Sequence, residues 1–587
     1  MHDGKQTLIC SVLIIAKPFS ILNIMKKLIA VLIIGIQGLT ILNAQDRLSG
    51  KSFATRSEVL AKNGMAATNH PLATQIAIAI LQKGGSAVDA AIAANAFLGF
   101  ADPGMNGIGG DLFAIVWDAN DQKLHGLNAS GKSAQALSFE KLKAELEKGN
   151  TYKSGPLSVS TPGCVDGWFA LHKKFGKISF KELLAPTIQY AREGVPITSE
   201  TADNFQSVEA SIQATDNTTF KDVFFKGENR FPRKGEIFQN PDLANTLQTI
   251  AQKGRDGFYK GEVAQAIEDH MKENGGYLSK KDLENNRPQW VDPVSINYRG
   301  YDVWEMPPNG QGIAALQILN ILENFDVAQM EYGSASHVHH FLEAKKLAYE
   351  DMAKFYGDPS FGEIPLEKLL SKAYAKNRAA LIDPDKAGNY NPGMASGDHT
   401  VYLTVADKEG NMISLIQSVS ALFGSKEVPR GLGFELQNRA GGFVMEEGHI
   451  NQYAPSKRPF HTIIPAFVTK EGQPFLSFGL MGGDMQPQGH AQIITDLIDF
   501  SMNLQEAGDA PRIYHQGSRG GHGKVEGVGD TYLESGFDYE TISQLMDKGH
   551  NIMMQKGIYG GYQAIMVKDG IFYGASESRK DGQAAGY

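Results

Sequence analysis

In the stretch Gly397-Asp-His-Thr-Val-Tyr-Leu-Thr-Val-Ala-Asp407, a polar linker runs directly into a predicted β-strand. Residues 386–399 contain Gly, Pro, Asn and Asp without hydrophobic periodicity, which is typical of a loop. The side chains of Thr400–Ala406 alternate as those of a strand do, residues 407–411 suit a turn, and Met412–Ser420 suits a second strand. The pattern predicts a β-hairpin that begins with a threonine.

Thr400 is a candidate nucleophile because of this position. If the chain is cut between His399 and Thr400, the threonine gains a free α-amine with a reference pKa of about 8. That amine can take the proton of the threonine's own hydroxyl, so one residue supplies both nucleophile and base. Threonine is also a common strand residue, so these residues alone leave an ordinary structural role open.

A second candidate feature is the glycine-rich stretch Gly479-Leu-Met-Gly-Gly-Asp484. It follows a predicted strand, Pro474–Gly479, and precedes a predicted helix, Gln492–Asn503. Acyl transfer needs donors for the developing oxyanion, and paired backbone N–H groups can supply them. A Gly-Gly turn is also a common structural feature, so this signal is weak by itself.

The rest of the chain is predicted to be helix-rich before residue 386 and strand-rich after it. Ala66–Phe100 has helical spacing and suggests two helices broken at Gly84-Gly85. After the first hairpin we expect a strand at Thr462–Thr469 and a last hairpin formed by Gln563–Lys568 and Ile571–Ala575.

Composition excludes several classes of protein. The 587 residues carry 56 Lys and Arg against 65 Asp and Glu, a net charge of −9, which argues against a broad cationic face for nucleic acid. Cys10 and Cys164 are the two cysteines, too few for a disulfide scaffold, an iron–sulfur cluster or a cysteine zinc site. Cys164 suits a small buried residue better than a nucleophile.

The first 44 residues have the features of a secretory leader. Met25-Lys-Lys27 gives a positive start, Leu28–Leu42 is an uncharged apolar run, and Asn43-Ala-Gln45 resembles a cleavage site. We therefore expect a signal peptide within residues 1–44, with Met25 as the start, and a periplasmic or secreted protein without stable membrane insertion once the leader is removed. A retained anchor is the alternative, since Leu28–Ala44 reaches the short limit of a membrane span.

Several short blocks, in order, resemble the γ-glutamyltransferase (glutathione hydrolase) family of N-terminal-nucleophile hydrolases. The blocks are Ala67–Thr74, Gly84–Ala91, Asn106–Asp111, Ser160–Gly163, Gly357–Pro359, Gly397–Asp407, Lys457–Pro465, Gly482–Gln486 and Asp509–Arg512. They span most of the chain after the leader. The resemblance implies an α+β fold, a four-layer αββα sandwich, and no metal or organic cofactor.

The resemblance also implies a self-cleaving precursor. Thr400 matches the family's processing and catalytic threonine, Gly482 and Gly483 match its oxyanion-hole pair, and Ser418 resembles the hydroxyl that hydrogen-bonds the nucleophile. Cleavage after His399 would give a large subunit of residues 45–399 and a small subunit of residues 400–587. The two subunits would form one composite catalytic domain.

Substrate recognition departs from the glutathione-cleaving members, in which an Arg holds the substrate α-carboxylate and an acid holds its α-amine. By the register of Asn128–Ala134, Ser130 stands at the Arg position with Lys132 nearby. Gly442, which carries no charge, stands at the acid position. The other substrate-binding candidates are Arg439, Ser420 in place of an Asn contact, and His461 and Thr462 in place of paired serines.

These changes weaken recognition of a glutamyl group. A zwitterionic glutamyl group would lose two charge-assisted contacts, each worth roughly 1.5–3 kcal/mol. A lysine at position 132 can neutralise a carboxylate but cannot bind it bidentately. Arg439 and His461 favour another acyl group, and the sequence is similar to the cephalosporin-acylase-like branch of the family.

The resemblance therefore implies an amidohydrolase or acyltransferase that acts through an acyl-threonine on a small amide or peptide. Its substrates would be γ-glutamyl amides such as glutathione, with transfer to water, amino acids or peptides. One alternative is an acylase for glutaryl or β-lactam side-chain amides on the same fold. Another is a non-catalytic exported binding protein, which the loss of the charged anchors favours.

Three histidines close together in the sequence form a candidate metal cluster. His337, His339 and His340 lie on a predicted helix, Ser336–Phe355, with Glu343 one turn after His340. His337 and His340 would share a helix face, but a structural role is the simpler interpretation. No metal site is predicted.

Overall fold

The computed structural model describes residues 50–227, 229–390, 399–517 and 527–587. The chain divides into Met1–Ser52 and Phe53–Tyr587, and the second forms one compact unit. The predicted leader with Met25, residues 391–398 of the polar linker and the side chain of His399 lie outside the described residues. Within the described residues, no helix is both long and apolar enough to cross a membrane.

The strands are short, and many are apolar along their whole length because both faces are covered. In chain order they are β1 Val59–Ala61, β2 Met65–Thr68, β3 Asp111–Asp118, β4 Lys123–Ala129, β5 Val195–Pro196, β6 Ile237–Phe238, β7 Gln289–Val291, β8 Val294–Tyr298, β9 Tyr301–Glu305, β10 His399–Ala406, β11 Met412–Ser420, β12 Ala466–Lys470, β13 Gln473–Met481, β14 Ile513–Gln516, β15 Asp530–Leu533, β16 Asn551–Met553, β17 Gly561–Lys568, β18 Ile571–Ser576 and β19 Gln583–Gly586.

The helices begin mostly at Ser, Thr, Asn or Asp caps, which satisfy the free N–H groups of their first turns. They are α1 Pro71–Gln82, α2 Ala87–Ala101, α3 Phe139–Glu147, α4 Cys164–Phe175, α5 Phe180–Glu193, α6 Ser199–Gln213, α7 Thr218–Phe224, α8 Pro241–Lys253, α9 Asp256–Tyr259, α10 Gly261–Glu273, α11 Lys280–Asn285, α12 Gly312–Leu322, α13 Ala335–Phe355, α14 Leu366–Leu369, α15 Lys372–Ala379, α16 Met485–Ile498, α17 Leu504–Asp509 and α18 Tyr539–Asp547.

Two seven-stranded antiparallel sheets face each other at the centre. The first has the order β19-β2-β10-β11-β3-β4-β7, and the second has the order β1-β18-β17-β13-β12-β9-β8. Strands β10 and β11 pack on β13 and β17 across the interface, α2 covers the outer face of the first sheet, and α12, α16 and α17 cover the second. This arrangement is the predicted αββα sandwich.

The hairpin around Thr400 is confirmed and lies in the middle of the first sheet. Val401 pairs with Gln417 and the antiparallel register continues to Ala406 and Met412. Strands from both sides of the predicted cleavage point are therefore interleaved in each of the two seven-stranded sheets, and neither part alone can form either of them.

Two helix predictions need correction. In Ala66–Phe100, the first residues form β2, and the helix starts at Pro71 because the His70 ring accepts the N–H of Leu72 as a cap. The break at Gly84-Gly85 is confirmed. The helix predicted at Gln492–Asn503 is instead α16, Met485–Ile498, whose first turns are polar but buried, so hydrophobic spacing did not reveal them.

The strand predicted at Thr462–Thr469 begins later than expected. Its ladder starts at Ala466, after Pro465, which has no N–H to donate. The preceding residues follow an irregular path, and His461 N donates to Asn309 O at 2.9 Å. The last hairpin, Gly561–Lys568 with Ile571–Ser576, is confirmed.

We expect Gly131→Ala to destabilise the protein by about 3 kcal/mol, the upper end of the usual cost of overpacking, because backbone atoms cannot move aside easily. A Cβ at this position would lie 1.5 Å from the carbonyl oxygen of Thr161. Thermal denaturation would measure the loss. Gly227→Ala is the matched control, since apart from its chain neighbours no atom of the described residues lies within 4 Å of the added Cβ. Equal melting temperatures for the two variants would contradict the prediction.

Candidate active site

The candidate residues meet at one edge of the first sheet because its strands are antiparallel. The start of β10 lies beside the end of β11, and Ser418 of β11 pairs with Asp111 at the start of β3. The end of β4 follows, where Ala129 pairs with Leu112 and leads into Ser130. Side chains from four chain segments are thereby brought to one place.

The burial and hydrogen bonding of Thr400 are those expected of a nucleophile. The residue is fully buried, and within the described residues its Oγ1 makes no hydrogen bond. Buried hydroxyls usually have a hydrogen-bond partner, so a hydroxyl without one indicates a functional role. The strand pairing shifts register between His399 and Val401, and such bulges often re-aim a side chain beside an active site.

Gly482 and Gly483 form the turn from β13 into α16. Their φ angles of 124° and 56° lie in the left-handed region, which favours glycine. The carbonyl of Gly482 accepts the N–H of Met485 at 3.0 Å, and that of Gly483 accepts Gln311 Nε2 at 2.9 Å. Because both carbonyls already accept hydrogen bonds within the protein, the N–H groups of the turn are suitably placed to bind an anion.

Thr400 and Gly482 line the same cavity, which has a volume of about 240 Å³. Its other lining residues come from widely separated segments on both sides of the predicted cleavage point: Met105, Asn204, Met481, Tyr514, Gln516, Gln555, Gly557, Ile558, Gly560 and Lys580. Sequence reasoning missed these residues because no motif or periodicity connects them. The structure thus places the proposed nucleophile and one proposed oxyanion donor in one cavity.

Arg439 is a buried cation beside the strand that neighbours Thr400. Its guanidinium is 2% exposed and donates to Thr462 Oγ1 at 2.8 Å and to Ser418 Oγ at 3.1 Å. Ser418 Oγ also accepts the N–H of Ser420 at 2.7 Å. Ser420 has a φ of 78°, an uncommon conformation for serine. Four of the predicted site residues therefore form one hydrogen-bonded group.

Asp111 organises the neighbouring part of the site and was not among the predicted site residues. Its Oδ1 accepts the N–H groups of Gly131 at 2.9 Å and Gly163 at 3.2 Å. Its Oδ2 accepts His461 Nε2 at 2.9 Å and Gln437 Nε2 at 3.3 Å. The sequence signal was its place directly after Gly109-Gly110, at the start of a buried strand.

The other predicted binding residues differ in their placement. Ser130 is buried and donates to Asn128 Oδ1 at 2.7 Å, so it lies at the same sheet edge. Lys132 is exposed, whereas the polar network around Asp111 is buried. Gly442 closes a short 3-10 turn that begins at Arg439, and it offers no side chain to a substrate amine.

The histidine cluster forms a different group from the one considered in the sequence. His339 Nδ1 and His550 Nε2 share a hydrogen bond of 2.8 Å, and Glu343 pairs with Lys346 at 2.5 Å. Burial lowers the pKa of His550 to about 3. His340 Nδ1 bonds the carbonyl of Ser336 instead. Within the described residues, ligand atoms of His339, Glu343 and His550 lie within 4.8 Å of one another, and His550 Nδ1 makes no hydrogen bond.

We expect Asp111→Asn to destabilise the protein by about 2–4 kcal/mol, because an amide replaces one acceptor oxygen by an NH₂ group facing N–H donors. Chemical denaturation would measure the change. Asp121→Asn is a control on an exposed carboxylate that bonds His125 at 3.1 Å. If Asp111→Asn unfolds at the same denaturant concentration as wild-type protein, the four N–H donors do not need the negative charge of Asp111 to be stabilised.

Comparison with known proteins agrees with this geometry. The family model for gamma-glutamyltranspeptidase matches residues 73–587. The chain is 36% identical over 536 residues to the glutathione hydrolase-like YwrD proenzyme of Bacillus subtilis (strain 168), covering 90% of this chain and 99% of that protein. It is 34% identical over 530 residues to the acylase ACY 1 proenzyme of Pseudomonas sp. (strain SE83), covering 88% and 92%.

A solved structure shares the whole architecture. The crystal structure of cephalosporin acylase from Bacillus halodurans superposes with a TM-score of 0.84 at 40% identity, covering 93% of this chain and 99% of that one. Relatives that this chain covers over more than nine-tenths of their length therefore include a glutathione hydrolase-like proenzyme and an acylase proenzyme. The chain belongs to the gamma-glutamyltranspeptidase family of threonine N-terminal-nucleophile hydrolases.

Proposed function

We propose that this protein is an exported, self-processing amidohydrolase or acyltransferase that works through an acyl-threonine at Thr400. The observation that carries the proposal is the buried Thr400 hydroxyl, which makes no hydrogen bond within the described residues and lies in the same cavity as Gly482. Several relatives, including the two named above, are called proenzymes, which supports a precursor that is cut. The leader-like residues 1–44 support export to the periplasm or the medium.

Maturation would use the same hydroxyl as catalysis. Thr400 Oγ1 attacks the carbonyl carbon of His399, the peptide bond to the Thr400 nitrogen breaks, and an ester replaces it. Water then hydrolyses the ester, which releases the carboxylate of His399 and leaves Thr400 with a free α-amine. One water molecule is consumed, and no other reactant is needed.

Turnover would follow the same geometry. Thr400 Oγ1 attacks the substrate amide carbon while the α-amine takes its proton, and the N–H groups of Gly482 and Gly483 hold the oxyanion. The proton passes to the leaving amine as the C–N bond breaks. Water or another amine then attacks the acyl-threonine and regenerates the hydroxyl.

We propose that the acyl group carries a carboxylate that Arg439 recognises. The guanidinium bonds Ser418 of β11, the strand that pairs with the strand of Thr400, and a guanidinium can bind a carboxylate bidentately. Gly442 supplies no acidic side chain for an α-amine. This charge pattern supports glutaryl-type amides, the acylase alternative, alongside γ-glutamyl amides such as glutathione.

We expect wild-type protein to yield two fragments, the smaller beginning at Thr400, and Thr400→Ala to remain uncut and inactive. Intact mass and N-terminal sequencing would measure both results, and a large fragment beginning at Gln45 would confirm removal of the leader. Thr400→Ser is the matched variant and should process, because serine keeps the hydroxyl. An uncut wild-type chain would favour the non-catalytic binding protein, and an active Thr400→Ala would refute the mechanism.

We expect Arg439→Met to lower kcat/KM about 10- to 100-fold on glutaryl and γ-glutamyl anilides, the cost of losing one charge-assisted contact. An anilide with an uncharged acyl chain of equal length should lose far less, which controls for damage to the fold. Comparing kcat/KM for glutaryl and γ-glutamyl anilides on wild-type protein shows whether the enzyme prefers an acyl group with or without an α-amine. An equal loss on charged and uncharged acyl chains would show that Arg439 has a structural role.

A further inference from the structure

A buried lysine bonds a histidine whose two chain neighbours line the cavity that holds Thr400. Lys345, on α13, is 1% exposed, and its Nζ donates to His515 Nδ1 at 3.0 Å. The His515 ring must accept this bond, because its Nε2 donates to the carbonyl of Val528 at 2.8 Å. His515 stands between Tyr514 and Gln516 in β14, and both of these residues line the cavity.

The same group of side chains holds the residue that follows the glycine turn. Tyr349 Oη donates to the carbonyl of Asp484 at 2.5 Å, and Gln488 Nε2 donates to it at 3.0 Å. Gln488 also bonds the backbone of His515 through both of its amide atoms, at 2.9 and 3.2 Å. Lys345 lies 3.9 Å from the ring centroid of Tyr349. Hydrogen bonds thus connect the lysine to one cavity wall and, through Gln488, to the end of the glycine turn.

A buried ammonium is costly even beside a carboxylate such as that of Asp484, so its position needs a reason. Apolar side chains of similar length would fill this space without the desolvation penalty. A positive charge in a low-dielectric layer behind a cavity favours negative charge inside the cavity. It also disfavours protonation of a nearby amine, which keeps that amine available as a base.

We propose that Lys345 is a positioning residue whose ammonium makes the potential at Thr400 and at the Gly482-Gly483 turn more positive, so that acyl transfer is fastest while Lys345 is protonated. The inference rests on the proposed function at Thr400. It adds a residue behind the site that does not touch the substrate.

The surroundings of Lys345 determine the pH range in which the effect appears. The groups facing it are Asp484 before α16, His515 of β14, and Tyr349 and Lys346 of its own helix. Burial lowers the pKa of Lys345 to about 7, while Asp484 opposes this shift and Lys346 adds to it. The cation is therefore present below pH 7 and lost as pH rises through that value. His515 remains neutral, since burial and Lys345 lower its pKa.

The test compares pH profiles of Lys345→Met and wild-type protein between pH 5.5 and 9. Readouts are the self-processing rate, which needs no knowledge of the substrate, and kcat and KM for the best anilide. We expect Lys345→Met to lower both rates by at least about 10-fold at pH 6 and by less than about 3-fold at pH 9, where wild-type Lys345 has also lost its charge. KM should change by less than about 3-fold.

Three further variants separate charge from packing. Lys345→Arg should restore the rate and move the alkaline fall to higher pH, because guanidinium stays protonated. Tyr349→Phe removes a hydrogen bond to Asp484 but leaves the charge, so its loss should be the same at every pH. Lys408→Met, at an exposed lysine, should match wild-type protein.

The outcomes distinguish this inference from the proposed function. A pH-independent change in Lys345→Met would overturn the inference and assign Lys345 to packing. If Lys345→Met does not fold, Lys345→Arg provides the test. An alkaline fall in rate at the same pH as in wild-type protein would then overturn the inference. An active Thr400→Ala refutes the proposed function, whereas an inactive Thr400→Ala with a wild-type Lys345→Met profile refutes the Lys345 inference alone.

Discussion

The carboxylate of Asp111 is the contact on which the site depends. It joins the loop after β4, the loop before α4, the segment before β12 and the stretch around Gln437, and each of these contributes through an N–H donor. A buried carboxylate with four donors is stable where a neutral side chain would leave N–H groups unpaired. Because Asp111 opens β3 and pairs with Ser418, this fixes the loops at the edge of the sheet where Thr400 begins its strand.

That arrangement would allow the chain to remain folded after the proposed cut beside Thr400. Strands from both sides of residue 399 alternate within both sheets, so the pairing energy does not rely on the covalent bond there. The hairpin of β10 and β11 is central in its sheet, with neighbours on both sides. A strand end in the middle of a sheet is rigid, which is the property a nucleophile needs to meet its oxyanion donors.

The sequence predicted what local pattern and the family blocks encode. The alternation of side chains predicted the hairpin after Thr400, and the Gly-Gly dipeptide predicted the turn at Gly482. Both signals could be recognised because each lies within a few residues of the chain. It missed the cavity lining, because Asn204, Tyr514 and Gln555 meet through the fold alone. It also misplaced α16, whose buried glutamines satisfy backbone groups of β14 and lack the apolar spacing of a surface helix.

Two buried cations then suggest how this chain has adapted the family's chemistry. Arg439 bonds Ser418 and Thr462, and Lys345 bonds His515, which stands between two residues that line the cavity of Thr400. Burial of each cation costs desolvation free energy, and this cost is offset if a negative charge is bound nearby. A carboxylate on the acyl group would offset the first throughout the reaction cycle. The oxyanion exists only in the transition state, so a cation that responds to it accelerates the chemical step without tightening substrate binding.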